Sequence, residues 1–395
     1  MKILYYSGHP QLNFNASTGY GTHMREMVKG FEALGHEVDI CIIGGTEPEA
    51  SNEKIIEPSL LKKTAKKLIP SIIWSTLKDK SLLKFDRFAQ TELEKKVTTF
   101  NPDIIYERGF YLMTSGCNVA AKHGIKHVLE INAPFEYEKE LFEGKTLLVS
   151  KGKKLESTLL NQPNLVCVVA SSIKLYYEQR HPSLTKDKII VTPNAINNNS
   201  INLRPLHSIA SIINGRTVVG FVGSIFPYHG VDKLIEAFSK THPQENNLVL
   251  LVVGDGEILE ELKQKSANLG ISDAVIFTGK VAHSEVYSYI NLMDITVLAN
   301  TEWYCSPVKL FDYGAIGKAI ISINKTGVTD VMTDKSDGLI IKNNDDELVN
   351  AITLLAKNPV LREKLGSKFQ NKVLSKHTWK ATAKKVLDNL AVRTN

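Results

Sequence analysis

Cysteine is scarce: Cys41, Cys117, Cys167 and Cys305 are scattered through 395 residues without a Cys-x-x-Cys pair, so neither a disulfide framework nor a zinc site is suggested. A reducing cytosol fits that usage. Long apolar runs are missing too, none approaching the ~20 residues of a spanning helix. The opening Met1-Lys2-Ile3-Leu4-Tyr5-Tyr6-Ser7-Gly8 breaks too soon for a signal peptide and reads as a first strand. No Gly-x-Gly-x-x-Gly with a ribose-binding acid follows that strand, which argues against a dinucleotide-dependent dehydrogenase. Charge of one sign is also weak. A formal net charge of +6 decides nothing alone, and without a strong basic excess or a recognisable module no nucleic-acid partner is expected. Internal repeats are absent as well.

What is present is alternation. The length exceeds what one core usually supports, which points to two domains. Strand-length apolar runs recur at Ile3 to Tyr6, Val38 to Ile43, Ile104 to Tyr106, His127 to Ile131, Val166 to Ala170 and Ile189 to Val191. Helical patterns separate several of them, the clearest being Met24, Met27, Val28, Phe31 and Leu34, closed by Gly35. A second series runs through Val218 to Val222, Leu248 to Val253, Val275 to Phe277, Ile295 to Leu298, Ala319 to Ile323 and Leu339 to Ile341. Helical patterns follow it from Asp345, Val360 and Trp379. The fold class is therefore α/β: two Rossmann-like domains, each with a parallel sheet covered on both faces. The expected division is 1–196, a linker at 197–216 within an Asn- and Ser-rich stretch, 217–375, and a C-terminal helix at 376–395.

Between the runs Ile295 to Leu298 and Ala319 to Ile323 lies Ser306-Pro307-Val308-Lys309-Leu310-Phe311-Asp312-Tyr313-Gly314-Ala315-Ile316-Gly317-Lys318. A short helix there puts its N-terminal amides, with a lysine and an acid one turn apart, at the carboxyl edge of a parallel sheet, where nucleotides bind. Gly223-Ser224-Ile225-Phe226-Pro227-Tyr228-His229-Gly230 follows a strand and opens a helix, as a phosphate loop or an ordinary βα turn would. Gly254-Asp255-Gly256 after the next strand is a weaker signal and reads first as a plain tight turn.

In that order, together with Phe277-Thr278-Gly279-Lys280-Val281, these motifs resemble the donor domain of family-4 retaining glycosyltransferases of GT-B fold. Ser17-Thr18-Gly19-Tyr20-Gly21 resembles that family's first glycine loop, and Val191-Thr192-Pro193-Asn194-Ala195-Ile196 its end-of-domain signature. The resemblance implies an N-terminal acceptor domain, a C-terminal nucleotide-sugar domain, a cleft between them and a last helix that crosses back onto the first domain. It also implies a hexosyltransferase-type enzyme that uses a nucleotide-diphosphate sugar, with UDP the expected nucleotide, as substrate and needs no cofactor. Acceptors would be a glycan, a lipid-linked sugar or a small molecule, as in polysaccharide and cell-envelope synthesis.

The resemblance assigns donor contacts to Gly19, Gly21, Gly223, Ser224, Gly254, Val281, Glu302, Tyr304, Ser306, Pro307, Val308 and Asp312. Lys309, His229 and Asn132 are the candidate catalytic residues. Departures from the family are specific. Its glutamate pair falls on Tyr304 and Asp312, with Glu302 two residues before the first. Its Arg and Lys near the glycine loop fall on Ser224 and His229, the latter with an ordinary pKa near ~6.5. Its acceptor-domain histidine falls on Asn132, which can hold hydroxyls or cap a helix but cannot move protons. Lys309 and Asp312 also fit an i,i+3 surface ion pair. With no Asp-x-Asp motif, no metal is expected. His9 and His23 read as surface or capping residues, and Arg108 as facing the cleft or pairing with Glu107 or Glu130.

Lys62 to Lys67, with Lys78, Lys80 and Lys84 around Ile69, Ile72, Ile73, Trp74 and Leu77, resembles an interfacial helix. A solvated charged face beside a buried apolar one gives the same pattern, and Pro70 interrupts it. Residues 62–84 are thus the candidate for peripheral association with the inner membrane face of an otherwise cytoplasmic protein. Other readings of the whole chain are a GT-B nucleotide-sugar epimerase, or a degenerate transferase that binds sugar-nucleotide or glycan without turnover.

Overall fold

A computed structural model describes residues 1–16, 18–47, 70–198, 201–243, 245 and 247–392. Ser17 of the first glycine loop and the basic stretch Lys62 to Lys67 lie outside the described residues. The chain divides into two compact units, one of Met1–Thr192 with Trp379–Asn395 and the other of Pro193–Thr378.

The first unit alternates β1 (Lys2–Ser7), α1 (Gly19–Glu32), β2 (Glu37–Ile42), α2 (Ser71–Phe100), β3 (Ile104–Arg108), α3 (Ser115–His123), β4 (Lys126–Ile131), α4 (Phe135–Glu143), α5 (Val149–Asn161), β5 (Leu165–Val168), α6 (Ser171–Arg180) and β6 (Ile189–Val191). Its six strands are parallel in the order β2-β1-β3-β4-β5-β6. Successive residues Ile3, Leu4, Tyr5 and Tyr6 are all buried, which requires cover on both faces because neighbouring side chains point opposite ways. Helix α1 buries Met24, Met27, Val28 and Phe31, and the chain turns out of it at Gly35, whose φ of +82° suits glycine.

The second unit runs α7 (His207–Ile213), β7 (Thr217–Val222), α8 (Val231–Thr241), β8 (Leu248–Val253), α9 (Leu259–Asn268), β9 (Val275–Phe277), α10 (Val286–Asn291), β10 (Ile295–Leu298), α11 (Val308–Ala315), β11 (Ala319–Ile323), α12 (Thr326–Thr329), β12 (Leu339–Ile341), α13 (Asp345–Lys357) and α14 (Pro359–Lys376). Its strands are also parallel, in the order β12-β11-β10-β7-β8-β9. All six residues of β8 are buried, each aliphatic side chain contributing about 1.5–3 kcal/mol relative to exposure.

The stretch expected as an irregular linker at 197–216 holds a helix instead. Ile213 is buried and Ile209 packs on the apolar cluster of the second unit, so α7 has a core to dock on before Asn214 ends it at φ +49°. The last helix, α15 (Trp379–Val392), belongs to the first unit. It buries Trp379, Ala383, Val386 and Leu390 against α1, where a Cβ on Gly30 would lie 2.7 Å from the Trp379 carbonyl oxygen.

Each sheet reverses its strand order beside its first strand: β3 and β2 flank β1, while β10 and β8 flank β7. At such switch points of open parallel sheets the loops diverge, and ligands commonly bind outside the carboxyl ends of the strands. Among the described residues no helix is long and apolar enough to cross a membrane.

Candidate functional site

At the switch point of the second sheet, β7 ends at Val222 and the backbone turns at Gly223 with φ +140°. A Cβ on Gly223 would meet Lys309 Cε at 2.2 Å and Nζ at 2.9 Å, so glycine is what lets the lysine lie across the turn. The turn after β8 stacks directly on it: a Cβ on Gly254, where φ is +132°, would approach the Gly223 carbonyl oxygen to 2.1 Å. Gly223 N donates to Val253 O at 2.9 Å. The buried Tyr313 hydroxyl accepts from Val222 N at 2.9 Å and so ties α11 to the end of β7.

Lys309 is half-buried in the first turn of α11. Its Nζ lies 3.4 Å from His229 Nε2 and 5.3 Å from the Phe221 ring centroid, with no carboxylate in salt-bridge range among the described residues. His229 Nδ1 lies 2.6 Å from Ser224 O. A carbonyl only accepts, so Nδ1 carries the proton and Nε2 offers its lone pair to the lysine. Burial and the Lys309 charge hold His229 down at about 4, against the Ser224 hydrogen bond. The imidazole, expected near its ordinary value, is therefore neutral at pH 7 and serves as an acceptor rather than a second cation. Burial lowers Lys309 to about 8, with Asp312 and Cys305 opposing.

Asp312, one turn on, is pushed up to about 6 by burial, while a hydrogen bond from Tyr287 and the Lys309 charge work the other way. Tyr287 Oη lies 3.1 Å from Asp312 Oδ1. The i,i+3 surface pair with Lys309 is not formed. Pro307 precedes α11 without a side-chain cap, so the amides of Val308 and Lys309 have no acceptor within the helix.

Other residues of the expected donor set turn elsewhere. Ser306 is buried, its hydroxyl accepting from Asn194 N at 3.0 Å and its carbonyl from Asn194 Nδ2 at 2.6 Å. Glu302 and Cys305 close a turn, Cys305 N donating to Glu302 O at 3.2 Å. Tyr304 is buried with its ring edge-on to Trp303 at 5.5 Å. Burial, then Cys305 and Glu302, raise the pKa of the Tyr228 hydroxyl. Ser224 is exposed, and Val281 packs on the apolar cluster beneath α11. Gly19 and Gly21 belong to the first unit, at the start of α1. A Cβ on Gly21 would strike Ala16 O at 2.3 Å, whereas Gly19 has open space around it.

In the first unit, Glu130 at the end of β4 is only 2% exposed and gathers four donors. Its Oε2 lies 2.9 Å from His23 Nε2 and accepts from Tyr106 Oη at 2.5 Å; its Oε1 accepts from Arg108 Nη1 at 3.1 Å and Asn132 Nδ2 at 2.5 Å. Burial alone would raise Glu130, but His23, Arg108 and Tyr106 hold it down at about 2. Asn132 is thus a partner of Glu130 and not a helix cap; Pro134 stands at the start of α4. Arg108 pairs with Glu130 rather than Glu107. His23 is buried, its ring edge-on to Trp379 at 4.6 Å, so the surface or capping reading does not hold for it. Burial holds His9 at about 4, with Glu143 opposing, and its ring lies 3.7 Å from that of Phe110.

Arg108 and Asn132 open onto a cavity of about 600 Å³ at the switch point of the first sheet. Its walls include Tyr20, Phe85, Phe110, Tyr111, Phe135 and Phe142. Its floor holds Asp79 and Lys139, both buried and 3.2 Å apart. The sequence signal for Glu130 was an acid inside an apolar strand run. Asp79, between Lys78 and Lys80, gave none, because such a trio looks like a solvated helix face.

One group among the described residues has the make-up of a metal site: Glu107, Cys117 and His127, all buried, with ligand atoms within 4.8 Å of one another. His127 Nε2 is 2.8 Å from Glu107 Oε2, and burial, then Glu107 and Asp86, keep the Cys117 thiol far above its ordinary pKa. It is a buried histidine–carboxylate contact beside a thiol on α3. The separated cysteines gave no sign of it.

Residues 206–372 match the model of the glycosyl transferases group 1, and residues 17–200 that of Glycosyltransferase Family 4. An uncharacterized glycosyltransferase of Haemophilus influenzae is 26% identical over 342 residues, covering 85% of each chain. Another, of Methanocaldococcus jannaschii, is 28% identical over 166 residues, so that the match spans only 42% of that relative's length and 42% of this chain. An Anabaena protein crystallised with UDP and glucose superposes with a TM-score of 0.69 at 15% identity, over 99% of this chain and all of its own 100%. At that identity the likeness is one of fold.

Proposed function

This chain belongs to the glycosyltransferases of group 1 and GT-B fold, and we propose that it moves a sugar from a UDP-linked donor to an acceptor with retention at the anomeric carbon and without a metal ion. The observation that carries the reading is Lys309. A half-buried cation without a carboxylate partner among the described residues, beside two helix amides without an acceptor in the helix and over a glycine turn, suits an anion.

In this reading the donor diphosphate lies against Gly223, the amides of Val308 and Lys309, and the Lys309 ammonium. Departure of the nucleotide leaves negative charge on its terminal phosphate, and fixed donors aimed there stabilise that charge most when it is largest. Neutral His229 orients the ammonium. Asp312, steadied through one oxygen by Tyr287, keeps the other for a ribose diol. Front-face transfer sends the acceptor proton to the leaving phosphate, so Asn132 needs only to hold hydroxyls. A thermal-shift panel of UDP-, GDP- and ADP-sugars tests the donor. UDP-sugars should stabilise most, by about 2.7 kcal/mol at a hundredfold excess over Kd. Release of UDP from UDP-glucose, unaffected by EDTA, should follow. Chelation that abolishes turnover removes the metal-free mechanism, and binding without any release leaves a degenerate transferase.

Peripheral membrane association is part of the same proposal. The inner face of the first half of α2 is polar, with Ser75, Thr76, Asp79 and Asp86 buried, while Ile72, Ile73 and Leu77 are exposed beside Lys78, Lys80 and Lys84; its second half buries Ala89, Leu93 and Val97. Exposed Leu141, Phe142 and Leu147 extend the patch, since Leu147 N donates to Thr76 Oγ1 at 2.9 Å. An outward apolar stripe flanked by lysines suits an anionic bilayer surface. Co-flotation with phosphatidylglycerol vesicles, lost in Ile73→Glu/Leu77→Glu, is the expected result; no flotation of the parent chain rejects it.

A further inference from the structure

Glu107, Cys117 and His127 come from three elements and meet where α3 packs on the first sheet, beside the apolar cluster of Leu4, Tyr6, Ile105, Val119 and Ala120. Parallel register pairs Ile105 with His127 and Glu107 with Leu129, so Glu107 and His127 are diagonal neighbours on one face of β3 and β4. Cys117 reaches them from the first turn of α3. A Cβ on the preceding Gly116 would lie 2.2 Å from Glu107 Oε2, so glycine is what lets the helix close on the carboxylate.

These side chains are not spent on hydrogen bonds. Glu107 and Cys117 are 1% exposed and His127 3%. Glu107 Oε2 and both ring nitrogens of His127 have no hydrogen-bond partner among the described residues. The 2.8 Å approach of His127 Nε2 to Glu107 Oε2 is thus a close contact without hydrogen-bond alignment. Polar neighbours are engaged with one another: Tyr6 Oη lies 2.6 Å from Ser115 Oγ, and Asp86 accepts from the amides of Thr114 and Ser115 at 2.9 and 3.2 Å. Buried polar atoms are normally satisfied. A thiol, an imidazole and a carboxylate that converge without hydrogen-bond partners are the donor set of a borderline-soft cation.

Charge points the same way. Burial, then Glu107 and Asp86, keep the Cys117 thiol protonated, because a further anion there has no counterion. A divalent ion supplies one: the thiol proton leaves to solvent as the sulfur–metal bond forms. One thiolate, one carboxylate and one divalent cation then sum to zero, which suits a site removed from water.

We infer that Glu107, Cys117 and His127 form a structural site for a thiophilic divalent cation, zinc by its ligand chemistry, that fastens α3 to β3 and β4. Ligand atoms this buried are closed to solvent in the folded chain, so the ion enters as the chain folds and leaves when α3 lifts. The site belongs to the first unit, is independent of the transferase reading and adds no metal to the chemistry proposed above.

The test produces the full, tag-free chain in cells supplied with zinc or with cobalt and purifies it under reducing conditions without chelator. Metal analysis should find close to one ion per chain. The cobalt form should show the near-ultraviolet sulfur-to-cobalt charge-transfer band of a thiolate ligand. EDTA should leave the ion in place in buffer and strip it in urea. Cys117→Ser should abolish the band, and it and His127→Gln should each lower metal content at least tenfold, while Cys41→Ser, at an equally buried thiol, keeps both. If neither site variant folds, the spectrum and the EDTA behaviour of the parent chain decide. A parent chain free of metal from both media, bound cobalt without the charge-transfer band, metal content unmoved by Cys117→Ser, or an ion that EDTA removes from the folded chain overturns the assignment and leaves a plain histidine–carboxylate contact.

Discussion

Nucleotide affinity should depend on pH through Lys309. In the free protein its ammonium is held at about 8 by burial, and an anion bound beside it favours the charged form. Affinity should thus be complete below pH 8 and fall as pH rises through that value, because binding above it must first take up a proton. With a pKa of about 8 the charged fraction drops from about 90% at pH 7 to about 10% at pH 9. This predicts roughly tenfold weaker binding, about 1.4 kcal/mol. The second phosphate ionisation, near ~6, is finished before this window opens, and His229 is already neutral throughout it. Calorimetric titration of UDP at half-unit steps from pH 7 to 9.5 reads the slope directly. Lys309→Ala should lose about 10- to 100-fold at pH 7, as expected of a charge-assisted contact, and should show no slope. At pH 8 it should lose more than His229→Ala. A flat profile in the parent protein, or the same slope without the lysine, refutes the argument.

Gly223→Ala should act on ligand binding more than on stability. Its methyl would meet Lys309 Cε at 2.2 Å, the movable end of a long side chain, while φ of +140° adds strain of about 1–3 kcal/mol; UDP affinity should fall toward that of Lys309→Ala, as calorimetry would show. Glu130, held near about 2 against an ordinary 4.5, contributes about 3 kcal/mol that is present above pH 4.5 and lost as pH falls from there toward 2. Urea unfolding across that range should show the loss in the parent protein and not in Glu130→Gln, which should be less stable at pH 7. Ser306→Ala should cost about 1–3 kcal/mol in the same assay by stranding the buried Asn194 amide.

The fold was legible because both sheets are parallel and doubly covered, so their strands are continuous apolar runs with polar breaks. Leu248–Val253 and Ala319–Ile323 have the bounds that their hydrophobicity alone suggests. The helix at His207–Ile213 was not, because its docking face is little more than Ile209 and Ile213 in a polar segment. Site residues divide the same way. Lys309 and the glycine turns announce themselves by position after a strand. The burial that shifts Lys309, His229 and Asp312 comes from residues far away in sequence, such as Phe221 and Tyr287, and no local pattern encodes it. Glu130 stands out as an acid inside an apolar strand run, whereas Asp79 is an ordinary acid in sequence and only tertiary contacts remove it from water.

The family resemblance puts two cations beside the glycine loop, where this chain has Ser224 and His229. The geometry suggests that the charge has been relocated. Lys309 reaches back from α11 until its Nζ lies 2.9 Å from where a Gly223 Cβ would be and 3.4 Å from His229 Nε2. A lysine at position 229 would start from the far side of the same point, and its reach covers that 3.4 Å gap. His229→Lys should therefore weaken UDP binding in the presence of Lys309, since two ammonium groups would crowd one buried spot and depress each other's charge. In a Lys309→Ala background the same change should recover most of the lost affinity, with the pH slope returning. The sign reversal between backgrounds, read by a double-mutant cycle on UDP Kd, separates a shared charge site from two independent contacts. Additive losses would mean that Lys309 and His229 do not serve the same phosphate.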